Sequence, residues 1–300
     1  MTVSSVNMLA GILWGSTHIS QITSSRTMAG VQTIVTGGAG APQPIFAGNM
    51  KQQPDVTLDT TQVASILTLA GSSIVEVSNA DLFYRAAATS GERTAAATAA
   101  HIRLRMAKAC MMPQRLTARD GAEASISVAI YPRYDGSTEP IVAAGSTALS
   151  ITPGSAEHYT CGPIAIAGTA VDGVQEINID FGINLLRLGG DGQLYDTFFT
   201  VGEFRPVITV KVLKDMWTSS VGLNGLVDDC VVYLRKVGST GRVANNATTN
   251  ISFTVASSYM TIDDTAGGMN DPAMTTISIR PVSSDGITAP ITIDTTADIA

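Results

Sequence analysis

The stretch that most constrains the fold of this chain is EINIDFGINLL, at residues 176–186. Apolar residues alternate in it with polar residues and glycine over the whole length. Successive side chains of a β-strand point to opposite faces, so this period of two predicts a strand with one face on an apolar core. The other face carries polar groups and must meet something different, either solvent or another surface.

Similar stretches recur along the chain and predict roughly ten strands. They lie at residues 73–78, 81–88, 101–109, 124–136, 158–168, 204–215, 231–238, 249–258, 275–282 and 289–296. The alternation in the strand that begins at His101 fails at Ala107 and Lys108, so we expect that strand to end there. The pattern predicts a mainly β protein: an antiparallel β-sandwich or barrel with one flanking α-helix and extended arms or loops.

The single predicted helix begins after residue 59. Asp59 is placed to cap it, and Gln62 three residues later would complete a capping box. The apolar face of the helix is formed by Val63, Ile66, Leu67 and Ala70. Gly71 is placed to end it.

The chain of 300 residues is long enough for one large β domain or two ordinary ones. Residues 1–50 show weak periodicity and include a Gly/Pro-rich segment at 36–49, which predicts an extended N-terminal arm. No strong linker follows, so residues 51–300 are predicted to form a single β-sandwich domain that ends in C-terminal strands.

The composition bears on partners. Only 14% of the residues are charged, against about a quarter in an average globular protein. Such a surface indicates either a secreted protein or one that largely faces other protein, because desolvating charge at an interface is costly. The net charge of −7 argues against general nucleic-acid binding.

Cysteine usage and apolar runs bear on the compartment. The chain has three cysteines, Cys110, Cys161 and Cys230, at wide spacing. An odd number without a pairing pattern predicts that they are small buried side chains and that the protein is made in a reducing cytosol. The N-terminus has no positive region before its apolar stretch and makes a poor signal peptide. No apolar run approaches membrane-spanning length, so we expect no membrane insertion.

No constellation for catalysis is recognisable in the sequence. His18, His101 and His158 lie far apart, and none stands in a metal-ligand spacing. The acidic pairs at 228–229 and 263–264 lack the additional oxygen ligands that a hard cation needs. We therefore expect no enzyme activity, no cofactor and no metal.

Positive charge is concentrated between residues 103 and 119. The residues concerned are Arg103, Arg105, Lys108, Arg115 and Arg119. Each residue alone is most simply part of a solvated face. As a group they are candidates for an inter-subunit contact, and the acidic pair Asp228 and Asp229 is the candidate partner on a neighbouring copy.

Five sequence stretches follow one another in a characteristic order. A short helix, TTQVASILTLAG, precedes HIRLRMAKACMMPQRLTARDGAEASISVAIYPRYDGSTEPI; then come CGPIAIAGTAVDGVQEINIDFGI, FRPVITVKV and a closing ITIDTTADIA. From about residue 55 to residue 300 this order resembles the major tail, or tail tube, proteins of long-tailed bacteriophages with flexible, non-contractile tails.

The resemblance implies a β-sandwich subunit that assembles into rings, usually hexameric, which stack into a hollow tube. Inner strands would join around a lumen through which phage DNA passes, and arms would bridge the rings. A tape-measure protein and a tail terminator protein would be partners, and the protein would be made in the host cytoplasm and reside in the virion.

In such a ring the polar face of the opening stretch would line the lumen. Glu176, Asn178, Asp180 and Asn184 are the candidate lumen-facing residues, and their acidic and amide groups would let DNA pass without sticking. The alternative is that they face solvent on the outside of the tube.

Two other functions compete with this one. A capsid decoration protein or a tail-tip component would have the same composition. A secreted adhesive or carbohydrate-binding β protein is less consistent, because the chain has only two tryptophans to serve as sugar platforms and no convincing signal peptide.

Overall fold

The computed structural model describes residues 5–37, 43–88, 91–152, 157–171, 173–213, 224–227, 229–267 and 272–299. The first half contains β1 Ser5–Trp14, β2 Thr17–Ile19, β3 Ile22–Met28, β4 Val31–Gly37, β5 Pro44–Gln52, β6 Asp55–Thr60, α1 Val63–Ala70, β7 Val75–Ala88, β8 His101–Arg119, β9 Ser125–Arg133 and β10 Val142–Thr147. The second half contains β11 Tyr159–Ile166, β12 Thr169–Val171, β13 Val174–Asp180, β14 Ile183–Leu188, β15 Phe198–Phe204, β16 Val207–Val212, β17 Asn224–Val227, β18 Cys230–Gly238, β19 Gly241–Arg242, β20 Asn250–Val255, β21 Ser258–Ala266, β22 Met274–Pro281 and β23 Thr292–Ala297.

Two sheets carry the core. The large sheet runs in the order β17-β21-β22-β16-β13-β8-β7-β1-β2, with β9, β6, β3 and β10 attached through β8. The small sheet runs β12-β11-β18-β20-β23, with β19 beside β18. Buried side chains of both sheets and of α1 belong to one apolar cluster. The predicted mainly β, antiparallel fold with a single flanking helix is confirmed.

The longest strand of the large sheet is β8, with 19 residues. Its first half pairs with β7 and β10, and its second half pairs with β9 and β13. The prediction that it ends at Ala107 and Lys108 is wrong. Residues 109–113 are all buried, so both faces of the strand meet apolar neighbours and the alternation that marks a half-buried strand disappears there.

The helix has the predicted buried face, formed by Val63, Ile66, Leu67 and Ala70, but not the predicted cap. Asp59 lies in β6, and its carboxylate accepts a hydrogen bond from Ser24 Oγ at 2.5 Å. Gln62 is the residue before the helix, and its Oε1 accepts the Ser20 and Gln21 amides instead of capping. Within the described ranges, no helix is long and apolar enough to cross a membrane.

Residues 5–28, expected to form part of an extended arm, lie in the large sheet. Strand β1 pairs with β7 along most of its length, and its side chains Ile12 and Trp14 are buried. The weak periodicity of this segment hid a strand whose register shifts between Leu9 and Gly11. The part of residues 1–50 that does extend from the sheet is the hairpin β4–β5.

Two hairpins leave the large sheet through the same backbone device. Strands β3 and β6 pair with each other, and the hairpin β4–β5, here called the first ribbon, continues beyond them. Strands β13 and β16 pair in the same way, and the hairpin β14–β15, the second ribbon, continues beyond those. Gly30 and Gly182 stand at the two bends with φ of +56° and +57°.

Glycine is required at both bends. A Cβ on Gly30 would lie 2.0 Å from the carbonyl oxygen of Gln53, and one on Gly182 would lie 1.9 Å from that of Arg205. In each case the carbonyl of the glycine also accepts the amide of that same residue, at 3.0 Å. The stretch at residues 176–186 is therefore two strands, β13 and β14, divided by a bend at Gly182.

We predict that Gly182→Ala lowers the free energy of unfolding by at least about 2 kcal/mol, because it combines a left-handed backbone with an overlap against a fixed carbonyl. Urea unfolding of the monomeric chain measures this. Gly190→Ala is the matched control, since a Cβ there meets nothing within 4 Å; it should change stability by less than about 0.5 kcal/mol. Equal effects of the two substitutions would show that the bend is not constrained.

Candidate functional site

The side of the large sheet that faces away from the core carries a broad polar surface, here called the polar face. Its rows run across five neighbouring strands in register, from β8 through β13, β16 and β22 to β21. It consists of Arg115, Thr117, Arg119, Glu176, Asn178, Asp180, Thr209, Lys211, Thr276, Ser278, Arg280, Thr261, Asp263 and Asp264. Four of these residues are basic and four are acidic, so their formal charges cancel.

Glu176 lies at the centre of the charge network on the polar face. Its Oε1 accepts from Arg119 at 3.1 Å and from Asn178 Nδ2 at 2.8 Å, and its Oε2 is 3.0 Å from Lys211 Nζ. Thr117 Oγ1 donates to the Asn178 side chain at 3.0 Å, which extends the network to the next row. The hydrogen bond from Asn178, followed by Lys211 and Arg119, lowers the pKa of Glu176 to about 2.

The predicted lumen-facing residues lie on two different surfaces. Glu176, Asn178 and Asp180 do share one face of β13. Asn184 does not belong with them, because the bend at Gly182 moves it to the exposed side of β14 in the second ribbon. The expectation of an acidic surface also needs correction, since Arg119 and Lys211 neutralise Glu176 from the neighbouring strands.

The predicted basic group lies entirely on β8 but forms two separate sets. Arg115 and Arg119 lie on the polar face beside β13, in register with Asp180 and Glu176. Sequence separation hid this arrangement, because the partners are some sixty positions apart.

The other three basic residues lie beside β7. Arg103 approaches Asp81 at 4.0 Å, and Arg105 donates to Asn79 Oδ1 at 2.7 Å. Burial raises the pKa of Asp81, and the two arginines partly offset that effect. Lys108 is half-buried in register with Ser78.

The structure describes only one of the two acidic residues that were predicted to contact this basic group. Asp229 is exposed just before β18, in the small sheet, and its carbonyl accepts the Ala167 amide at 2.8 Å. Asp228 lies outside the described residues. Their contact with a neighbouring copy stays a prediction.

The first ribbon is a two-stranded sheet with large apolar side chains on its surface. All seven residues of β4 are exposed. The exposed apolar residues of the ribbon are Val31, Ile34, Val35, Ile45, Phe46 and Met50, and the exposed fraction reaches 72% at Ile45. An isolated two-stranded hairpin is marginally stable in water at best, so this ribbon lacks the covering surface that a stable sheet requires.

The tip of the second ribbon is fastened to the base of the first. The Gln52 amide donates to the Leu194 carbonyl at 2.8 Å. The Asp196 carboxylate, only 4% exposed, is 2.9 Å from Lys51 Nζ and accepts from Gln53 Nε2 at 2.8 Å. No local pattern in the sequence marks Asp196, because its partners lie more than 140 positions away.

The second ribbon also packs on the body of the protein and leaves one apolar side outward. Arg187 stacks over the ring of Tyr131 at 4.9 Å and donates to the Pro54 carbonyl. On the outer side Leu186, Leu188 and Phe198 are exposed, the last by 68%. The two ribbons therefore present exposed apolar groups from one connected protrusion.

His101 and the three cysteines are buried. His101 is fully buried; its Nδ1 accepts the Ala86 amide at 3.1 Å, and its Nε2 donates to the Ala95 carbonyl at 3.0 Å. The three cysteines are free and buried as predicted, and burial raises the thiol pKa of Cys110 to about 11 and of Cys230 to about 12. Among the residues described, no group of three or more His, Cys, Asp or Glu is placed to hold a metal ion.

Comparison with models of known protein families gives no match. A search of curated proteins also gives no significant match.

We predict that the contacts of the Glu176 carboxylate make the free energy of unfolding decrease at acidic pH. The carboxylate has an ordinary pKa of 4.5 and a folded pKa of about 2, so its contribution is complete above about pH 4.5 and is lost as the pH falls towards 2. Glu176→Gln should therefore be less stable than the wild type at pH 7, and the difference should close over that range. Urea unfolding at several pH values measures it.

Glu92→Gln, at an exposed carboxylate between β7 and β8, is the control and should show little difference at any pH. A stability difference for Glu176→Gln that stays constant from pH 7 to pH 2 would contradict the proposed role of the network.

We predict that Asp196→Ala releases the second ribbon from the first. It leaves Lys51 and Gln53 without their acceptor and should cost about 1–3 kcal/mol. Hydrogen exchange at the Gln52 amide should accelerate, because that amide donates across the same junction. Glu203→Ala, which removes an exposed ion pair with Arg205 in the same ribbon, should cost less than about 1 kcal/mol and leave the Gln52 amide protected.

Proposed function

We propose that the protein is a self-assembling structural subunit of a bacteriophage tail tube. The observation that carries this proposal is the first ribbon, whose two faces are open and whose large apolar side chains are exposed. Exposed contiguous apolar surface marks sites of protein interaction. A free monomer would gain nothing from this ribbon, whereas a subunit in an assembly would order and bury it.

A second copy of the same chain is the occupant that best fits this surface. Strands β4 and β5 of the first ribbon contain one charged residue, Lys51, and that residue pairs with Asp196 at the base of the ribbon. Charge depletion at the centre of an apolar patch is typical of interfaces between proteins. In this assembly the first ribbon of one copy would pack on the body of the next copy. Because these are two different surfaces, the contact is heterologous, and its repetition closes a ring or builds a filament.

The polar face supports the second part of the proposal, a lumen through which DNA passes. Its basic groups are largely committed to partners in the same sheet: Arg119 and Lys211 to Glu176, and Arg280 to Thr261 at 3.3 Å. Binding of DNA depends on basic groups that neutralise phosphates. A surface with cancelling charges would neither hold nor strongly repel the passing duplex.

A tape-measure protein inside the tube and a terminator protein at its end would be the partners of such a subunit, and hexameric rings would be its unit of stacking. The protein would reside in the virion after synthesis in the host cytoplasm. Catalysis has no part in this function.

We predict that the full chain assembles into rings or hollow tubes of uniform width as its concentration rises, seen by negative-stain electron microscopy and sedimentation velocity. The double variant Ile45→Lys, Phe46→Lys places charge on the most exposed part of the first ribbon and should remain monomeric. Its fold should be intact by circular dichroism, because neither side chain is buried.

Ile287→Lys is the matched control, since that side chain is 91% exposed and lies outside both ribbons. It should assemble like the wild type. A wild-type chain that stays monomeric at all concentrations would argue against self-assembly, and assembly that occurs only on added capsids would favour a decoration protein.

A further inference from the structure

A cleft of about 310 Å³ opens between the small sheet and one end of the large sheet. Its walls include Asp120 after β8, Cys161 and Gly162 on β11, Arg235 on β18, Arg242 on β19, and Asn245. The cleft belongs neither to the polar face nor to the ribbons. Two of these residues, Arg235 and Arg242, carry guanidinium groups, in a chain whose net charge is −7.

A bulge in β11 forms one wall of the cleft. Pairing with β18 stops after Cys161 opposite Leu234 and resumes at Ile164 opposite Val232. A Cβ on Gly162 would lie 2.7 Å from the Tyr233 carbonyl oxygen, so only glycine allows the two backbones to come this close. Paired strands therefore form this side of the cleft.

Arg235 is held in place by neutral groups. Its Nη2 lies 2.5 Å from Asn245 Oδ1, and the Asn245 carbonyl accepts the Ile299 amide at 2.7 Å. The Nε of Arg235 is buried and has no hydrogen-bond acceptor among the described residues. Buried polar groups are normally satisfied, so this arginine lacks one of its hydrogen-bond partners within the described structure.

Arg235 differs from two other arginines in its distance from a carboxylate. Arg103 and Arg133 also have a buried Nε without an acceptor. Each of them has a carboxylate close by, Asp81 at 4.0 Å and Glu76 at 2.7 Å respectively. Within the described part of the chain, no carboxylate lies within 4.0 Å of Arg235, so its charge is not compensated there.

Arg242 supplies a second cation to the cleft. Its Nη2 is 2.5 Å from Asp120 Oδ1, and the two side chains are 53% and 42% exposed. An ion pair this exposed contributes little to stability and exchanges readily with another anion. The Cys161 thiol has a pKa raised to about 11 by burial, so it stays protonated and does not act as a nucleophile.

We propose that this cleft binds an oxyanion group, a phosphate or a carboxylate, with Arg235 as the principal donor and Arg242 as the second. A planar guanidinium donates up to two parallel hydrogen bonds to such a group, and the bound anion would compensate the charge of Arg235. The volume of the cleft is about ten times the share of one water molecule, which leaves room for a phosphate and its remaining solvent. This proposal does not depend on self-assembly.

Calorimetric titration of the full chain with inorganic phosphate, and separately with acetate, at constant ionic strength tests the proposal. The wild type should show saturable binding of at least one of them. Arg235→Gln should weaken it about tenfold or more, because a charged hydrogen-bond donor is lost. Asn245→Asp should weaken it similarly without loss of stability, since it places a carboxylate against Arg235. Asp120→Asn should strengthen it severalfold by releasing Arg242.

Arg280→Gln removes an arginine from the polar face and should leave the affinity unchanged. Saturation by phosphate alone or by acetate alone would each support the site and identify the oxyanion. Absence of saturable binding of both, or an equal loss in Arg280→Gln and Arg235→Gln, would overturn the proposal. The double variant Ile45→Lys, Phe46→Lys should bind as the wild type does, so failure of self-assembly is distinguishable from failure of this site.

Discussion

The close approach of a glycine to a carbonyl oxygen, at Gly30 and again at Gly182, is the constraint on which the rest of the surface depends. Each glycine lies at a point where two paired strands leave the large sheet, and each accepts the amide of the residue whose carbonyl it touches. A side chain at either position would prevent this geometry. The two bends separate the packed sheets from ribbons that carry large exposed apolar side chains.

The polar face illustrates how a sheet converts scattered charges into a network. Cross-strand neighbours in a sheet lie close enough to interact, and opposite charges in register stabilise one another. Arg119, Glu176 and Lys211 come from three strands and form one line across the sheet. The low pKa of Glu176 follows from that arrangement, and the cancelling charges make the surface suitable for contact without adhesion.

Charged groups have different roles in the three regions. On the polar face they compensate one another, and at the ribbon junction Asp196 joins distant segments through Lys51 and Gln53. In the cleft, Arg235 is oriented by an amide and lacks a carboxylate within the described structure. The first two arrangements compensate charge within the chain, while no carboxylate of the described residues compensates Arg235 in the third.

The sequence by itself determined the mainly β class, the buried face of the helix, the burial of the cysteines and the polar side of β13, because all of these follow from local periodicity and side-chain polarity. It did not determine where β8 ends, since burial on both faces erases alternation. It could not predict that Gly182 divides the stretch at residues 176–186 into two strands. Nor could it predict that Arg115 lies opposite Asp180 and Arg119 opposite Glu176. Only the tertiary structure decided these points, because strand register brings together residues that no local pattern connects.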